Sequence, residues 1–211
     1  MQSYYLEQMG ITTWELRQPT ALADTPSLAQ LADEVARCTR CPLHQTRSKT
    51  VFARGNASAK LMIIGEAPGF HEDQQGLPFV GAAGALLDKM VESIGLGQEQ
   101  IYIANVLKCR PPNNRDPQTE EIVQCSAYLS QQITLVQPLL ILALGRFAGQ
   151  YLLNTMEPLS KLRANSHDYR GTKVIVSYHP AYLLRNPADK KKAYQDWLLV
   201  KNNLQQVASA L

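Results

Sequence analysis

Four short apolar runs, each followed by a segment with helical periodicity, constrain the fold more than any other feature of this chain. The runs are 60–65, 101–106, 139–145 and 173–178. The helical segments lie at 28–37, 82–94 and 119–136; a further short segment after the third run ends at Leu153, and the last extends from Pro187 to Asn203. Ser27 is placed to cap the first of them. Strands that alternate with helices form a mostly parallel sheet with helices on both faces, so the sequence predicts an α/β fold.

The length of 211 residues suits one domain with a sizeable core. We expect that domain over residues 27–211, preceded by an N-terminal segment and linker over residues 1–26. No apolar run reaches the roughly 18 residues of a membrane span, and the N-terminus lacks a signal-peptide pattern. We therefore expect a cytoplasmic protein without a membrane partner. We also expect it to be a monomer. The net charge of +3 is compatible with a polyanionic partner but does not require one.

The four cysteines are spaced as one potential metal site. Cys38 and Cys41 form a C-x2-C pair, and fifteen residues separate Cys109 from Cys125. Cysteines of a cytoplasmic protein stay reduced, so disulfides are not expected. Zinc and iron–sulfur clusters both accept four thiolates, and the spacing does not choose between them. Four unrelated buried thiols are the remaining alternative.

The residues that follow the strands indicate chemistry, because open α/β sheets bind ligands at the carboxyl ends of their strands. GEAPGFHEDQQGLPFVGAAG follows the first strand, Asn105 ends the second, and HPAYLLRNP follows the fourth. Phe79, Asn105 and His179 would meet there with acidic residues. Each has an ordinary structural explanation when taken singly. Together they suit a planar heterocycle: a ring to stack on, an amide to read its edge and an imidazole near a carbonyl oxygen.

These motifs resemble those of the family 4, iron–sulfur uracil-DNA glycosylases over about residues 28–203. The shared motifs are C-x2-C, GEAPG with ED and PFVGxAG, KCRPPNNRDP, and HPxYLLRNP. The resemblance implies a three-layer α/β/α fold around a four-stranded parallel sheet and hydrolysis of the N-glycosidic bond of flipped-out uracil in DNA. It also implies a structural 4Fe-4S cluster on the four cysteines, Cys38, Cys41, Cys109 and Cys125.

The resemblance further implies roles for the site residues. Leu183 or Leu184, beside Arg185, would be the wedge that replaces the flipped base. Phe79 would stack on uracil, and Asn105 would read its edge. The backbone from Glu66 to Gly69, which includes Ala67, would form the pocket wall. His179 would donate to O2 of the departing uracil anion, while Glu66 and Glu72 would hold the attacking water and Glu72 would help to exclude thymine.

The N-terminal stretch LEQMGITTWELRQP does not belong to this pattern. It resembles the segment by which the psi subunit of bacterial DNA polymerase III docks onto the chi subunit. Its apolar anchors are Leu6, Met9, Ile11, Trp14 and Leu16. Three alternatives remain: a glycosylase tethered through chi, a psi-like clamp-loader adaptor without catalysis, or a segment packed on its own domain.

Overall fold

The four predicted apolar runs are strands of one sheet in the computed structural model, which describes residues 26–163 and 165–208. In chain order the strands are β1 (Arg54–Gly55), β2 (Leu61–Gly65), β3 (Ile101–Asn105), β4 (Leu140–Leu144), β5 (Ser166–Tyr169) and β6 (Thr172–Ser177). The α-helices are α1 (Leu28–Ala36), α2 (Phe70–Gln75), α3 (Ala82–Ser93), α4 (Thr119–Val136), α5 (Arg146–Leu153), α6 (Leu159–Leu162), α7 (Pro180–Arg185) and α8 (Lys190–Ala208). The strand order is β1-β3-β2-β4-β6-β5.

The central strands β3, β2, β4 and β6 are parallel, and every residue of β2, β3 and β4 is buried. Alternate side chains of a strand point to opposite faces of the sheet. Met62 and Ile64 therefore belong to one core cluster, and Leu61 and Ile63 belong to the other. Burial on both faces explains why these strands are continuous apolar runs in the sequence.

Helices cover both faces of the sheet. Leu129 of α4 and Leu152 of α5 pack on the face of Met62. Leu87 of α3 and Trp197 of α8 pack on the opposite face. This arrangement confirms the predicted three-layer α/β/α architecture.

The sheet is larger than the predicted four parallel strands, because a short antiparallel strand lies at each edge. β1 pairs with β3, and β5 pairs with β6. β1 has only two residues, and the residues of β5 are alternately exposed. Neither has the two-faced burial that makes a strand recognisable as an apolar run, so the sequence pattern did not reveal them.

The helix boundaries agree with the sequence pattern except near the strand ends. Ser27 caps α1 as predicted: its Oγ accepts from the Gln30 N–H at 3.2 Å. Three short helices were not predicted from the sequence: α2 and α7, of six residues each, and α6, of four. The last helix begins at Lys190, after a separate 3-10 turn over Pro187–Asp189. Across residues 26–163 and 165–208, no helix combines the length and apolar composition that a bilayer crossing requires.

Candidate active site

The parallel ends of β2 and β3 place Asn105 beside Gly65, its partner in the strand register. Asn105 is only 1% exposed. A Cβ atom on Gly65 would clash with Oδ1 of Asn105 and would lie 2.8 Å from Cζ of Phe79. Gly65 therefore allows the amide and the ring to approach the same point. This requirement for glycine is visible only in the folded chain.

Phe79 and His179 come from different loops and stack on each other, with ring centroids 5.4 Å apart and planes at 29°. His179 is the N-cap of α7, and its Nδ1 accepts from the Ala181 N–H at 3.2 Å. A neutral imidazole with an accepting Nδ1 carries its proton on Nε2. Burial, reinforced by the charge of Arg185, lowers the pKa of His179 to about 4. At neutral pH the ring is thus an uncharged hydrogen-bond donor through Nε2.

Glu72 connects three parts of the site through hydrogen bonds to its carboxylate. Its Oε1 accepts from the Phe79 N–H at 2.8 Å, and its Oε2 accepts from the Gly69 N–H at 3.1 Å. The Asn105 amide approaches the same Oε2 at 3.5 Å. Burial raises the pKa of Glu72, while these hydrogen bonds oppose the rise. Both oxygens accept from backbone N–H groups, so Glu72 holds the Gly69 and Phe79 segments in place, and its contact with water stays a prediction.

Glu66 and Gly69 lie on the same loop with different surroundings. The half-buried Glu66 has a raised pKa, mainly because of burial and also because of nearby Asp116. Ala67 packs against the cysteine-containing core cluster. A Cβ atom on Gly69 would meet no heavy atom within 4 Å, so the loop leaves space beside its backbone. The predicted contact of Glu66 with water is compatible with its half-buried position.

The two leucines of the expected wedge differ in exposure. Leu183 is 1% exposed and lies beside Trp197 and Met90, whereas Leu184 is 44% exposed. Arg185 is also exposed. Because Leu183 is a core side chain in this structure, the exposure favours Leu184 of the two predicted wedge residues.

The cysteines line one small cavity and comprise Cys38, Cys41, Cys109 and Cys125. Arg47 Nη1 donates to the Cys109 Sγ at 3.0 Å, and the Lys108 N–H donates to the Cys125 Sγ at 3.3 Å. Burial raises the pKa of the Cys125 thiol to about 11. Their common cavity argues against four unrelated thiols. Among the described residues, no three His, Cys, Asp or Glu side chains are grouped as a site for a single metal ion.

Lys108 connects this cavity to the pocket, and the sequence analysis missed it. Its side chain is 1% exposed, and Nζ donates to the Asn105 carbonyl at 2.7 Å and to Gln132 Oε1 at 2.6 Å. Burial lowers the pKa of Lys108 to about 8. Gln132 in turn donates to the Tyr102 hydroxyl at 3.0 Å. The available signal was a lysine within the apolar NVLKC run that follows β3.

A second missed group holds the end of β6, two residues before His179. Asp196 Oδ2 accepts from the Ser177 hydroxyl at 2.7 Å and from Arg163 Nε at 2.8 Å. Arg163 also donates to the Tyr178 hydroxyl at 3.0 Å. These contacts join residues that are far apart in the chain, so no local sequence pattern predicts them.

Comparisons with known proteins agree with this geometry. The model of the uracil DNA glycosylase superfamily matches residues 52–199. The type-4 uracil-DNA glycosylase of Saccharolobus solfataricus is 43% identical over an alignment of 187 residues, and the match covers 84% of this chain and 87% of that protein. The type-4 enzyme of Thermotoga maritima is 42% identical over 162 residues, 76% and 84% of the two chains. The type-5 enzyme of Pyrobaculum aerophilum is 28% identical over an alignment of 184 residues, and the match covers 72% of this chain and 81% of that protein.

Proposed function

The chain belongs to the uracil DNA glycosylase superfamily, and on that premise we propose that it is a type-4 enzyme that hydrolyses the N-glycosidic bond of uracil in DNA. One observation supports the chemistry above all others. The Phe79 ring, the Asn105 amide and the His179 imidazole converge at the same ends of parallel strands. These are the groups needed to stack on uracil, to read its edge and to stabilise it as a leaving group.

Recognition requires the uracil to leave the base stack, which costs a few kcal/mol. Leu184, exposed beside Arg185, is the proposed wedge that fills the space left by the base. The uracil then stacks on Phe79, while the Asn105 amide accepts from N3–H and donates to O4. Cytosine presents an unprotonated N3 and an amino group at these two places, so it would match neither contact. Lys108 keeps the end of β3 in place through its bond to the Asn105 carbonyl.

In the chemical step the bond between N1 and C1′ breaks, and both electrons stay with the uracil. Negative charge builds up on O2, where the Nε2–H of neutral His179 donates a hydrogen bond without transferring its proton. One preorganised donor of this kind is worth about 10²- to 10³-fold in rate. Water adds its oxygen to C1′, and its proton ultimately neutralises the uracil anion. Glu66 is the proposed residue that orients this water.

We propose that the four cysteines hold a 4Fe-4S cluster. Four thiols around one cavity match the donor set of such a cluster. The hydrogen bonds from Arg47 and from the Lys108 backbone to two of the sulfur atoms would stabilise thiolate charge. When bound, the cluster supplies a structural cross-link between the end of α1, the loop after β3 and α4. Brown colour, absorption at roughly 400 nm and about four irons per chain would support it; a zinc-loaded native protein would contradict it.

The function is tested by a cleavage assay on protein purified without oxygen. The substrate is a labelled single-stranded oligonucleotide with one uracil, and the same sequence with thymine is the control. Alkali should cleave only at the uracil position. His179→Ala should lower the rate about 10²- to 10³-fold, while His167→Ala, outside the site in β5, should retain it. No excision by folded, cluster-loaded protein would contradict the proposal.

Three narrower proposals concern the rest of the molecule. A chi-binding role of Leu6, Met9, Ile11, Trp14 and Leu16 rests on the sequence alone, since residues 1–25 lie outside the described residues. Deletion of residues 1–20 should abolish chi binding and preserve excision. The non-catalytic adaptor is not favoured, because relatives that are 42% and 43% identical over most of the chain are named type-4 uracil-DNA glycosylases. A monomeric state and a cytoplasmic location also remain proposals.

A further inference from the structure

Phe70 stands out among the apolar side chains around the pocket because 52% of its surface is exposed. It is the first residue of α2 and follows Gly69 of the pocket loop directly. The Arg110 guanidinium lies over its ring, 5.1 Å from the centroid. Arg110 is held there by its Nε, which donates to Asn114 Oδ1 at 2.7 Å. One side of the ring is thus covered by a fixed cation, and much of the rest faces solvent.

The strand order puts this pair and the proposed wedge on opposite flanks of the pocket. Arg110 lies on the loop after β3, and Leu184 lies on α7, directly after β6. β2 and β4 separate those two strands, and three strand spacings amount to roughly 14 Å. The loop after β2 carries Phe79 between the two flanks. A DNA strand whose uracil enters the pocket would therefore pass Leu184 on one side and Phe70 on the other.

We propose that Phe70 and Arg110 form a stacking platform for an unpaired base next to the flipped uracil. This inference rests on the proposed function and specifies its substrate further. Aromatic side chains bind single-stranded nucleic acid by stacking on bases of any sequence, and arginine adds a cation–π contribution and attraction to phosphate. The ring offers a surface to the base, and Arg110 offers positive charge to the backbone. Because a paired base is already stacked in its duplex, the platform favours single-stranded substrate.

Binding and excision are measured separately. Binding uses fluorescence anisotropy with a single-stranded oligonucleotide that contains 2′-fluoro-deoxyuridine, which resists cleavage. Excision is measured under single-turnover conditions with ordinary uracil. Phe70→Ala should weaken binding about tenfold, and it should raise the half-saturating concentration far more than it changes the maximal rate. Phe70→Trp should restore binding. Val123→Ala, which removes a 64% exposed apolar side chain from α4, is the matched control and should change neither.

The decisive arm removes the neighbouring base. Two oligonucleotides are compared, one with an abasic residue immediately 5′ of the uracil and one with it immediately 3′. For one of these two substrates, wild type and Phe70→Ala should have equal affinity, because the base that stacks on Phe70 is missing. An unchanged affinity in Phe70→Ala, or a tenfold loss that persists with both abasic substrates, would overturn the platform. If the wild-type protein shows no excision while Phe70→Ala shows the expected tenfold loss of affinity, the result would contradict the proposed function and leave the platform intact.

Discussion

At the scale of single residues, the burial of His179 and one hydrogen bond to its ring make the imidazole a neutral donor. The Ala181 N–H occupies Nδ1, which leaves the proton on Nε2, and burial suppresses the charged form. An imidazolium would give more electrostatic stabilisation to a uracil anion, but this site holds the ring uncharged. In the proposed mechanism, the fixed orientation of Nε2 would contribute to the rate, rather than a positive charge.

The protonation of His179 makes stability depend on pH. In the unfolded chain the pKa is near its ordinary value of 6.5, whereas in the folded protein it is about 4. Between these values the unfolded state binds more protons, so the free energy of unfolding decreases as the pH falls from 6.5 to 4. Urea unfolding at pH 7, 5.5 and 4.5 should show a smaller decrease in His179→Gln than in wild type. Parallel curves would contradict the depressed pKa.

Lys108 should matter for both stability and activity. Lys108→Met leaves the Asn105 carbonyl and the Gln132 amide oxygen without their donor, and each unsatisfied buried acceptor costs about 1–3 kcal/mol. We expect the free energy of unfolding to fall by about 2–6 kcal/mol and excision to slow, because the end of β3 is loosened. Chemical denaturation and single-turnover kinetics measure the two effects. Lys89→Met, at an exposed position of α3, is the control; equal behaviour of the two variants would refute the role.

At the scale of elements, α7 places two adjacent leucines in different surroundings, one in the core and one exposed. Leu184→Ala should leave the melting temperature unchanged and reduce excision from double-stranded DNA more than from single strands, because only a duplex needs the wedge. Leu183→Ala removes a core side chain and should lower the free energy of unfolding by about 2–5 kcal/mol. Thermal melting and excision from matched duplex and single-stranded substrates distinguish them. The reverse pattern would assign the wedge to Leu183.

The elements that could be predicted from sequence are those whose signal is local. The strands β2, β3, β4 and β6 are apolar runs buried on both faces, and the residues that follow them could be assigned to one rim. α2 and α7 have six residues each, too few for a clear helical period. The positioning role of Glu72 and the burial of Leu183 depend on contacts between loops and layers. Such contacts leave no trace in the spacing of residues.

At the scale of the whole molecule, four thiols from distant parts of the chain line one cavity, where the proposed cluster would cross-link them. A cross-link that closes a loop of roughly 70 residues contributes about 4 kcal/mol in the chain-entropy model. Cys125→Ser should therefore lower the free energy of unfolding by about that amount and release iron, which urea unfolding and iron analysis would measure. Ser130→Ala, one turn further along α4 at a partly exposed position, provides the control. Full stability without iron would argue against a structural cluster.

The two edge strands have a consequence for how the protein behaves beside other copies of itself. An open parallel sheet presents unpaired backbone groups at its margins, where another chain can add a strand. Within residues 26–163 and 165–208, the two-residue strand β1 forms one edge of the sheet, and Gly55 packs so closely on the Ile101 carbonyl that a Cβ there would clash. At the other margin β5 has only four residues. These short margins offer little template for strand addition, which protects the apolar central strands from aggregation.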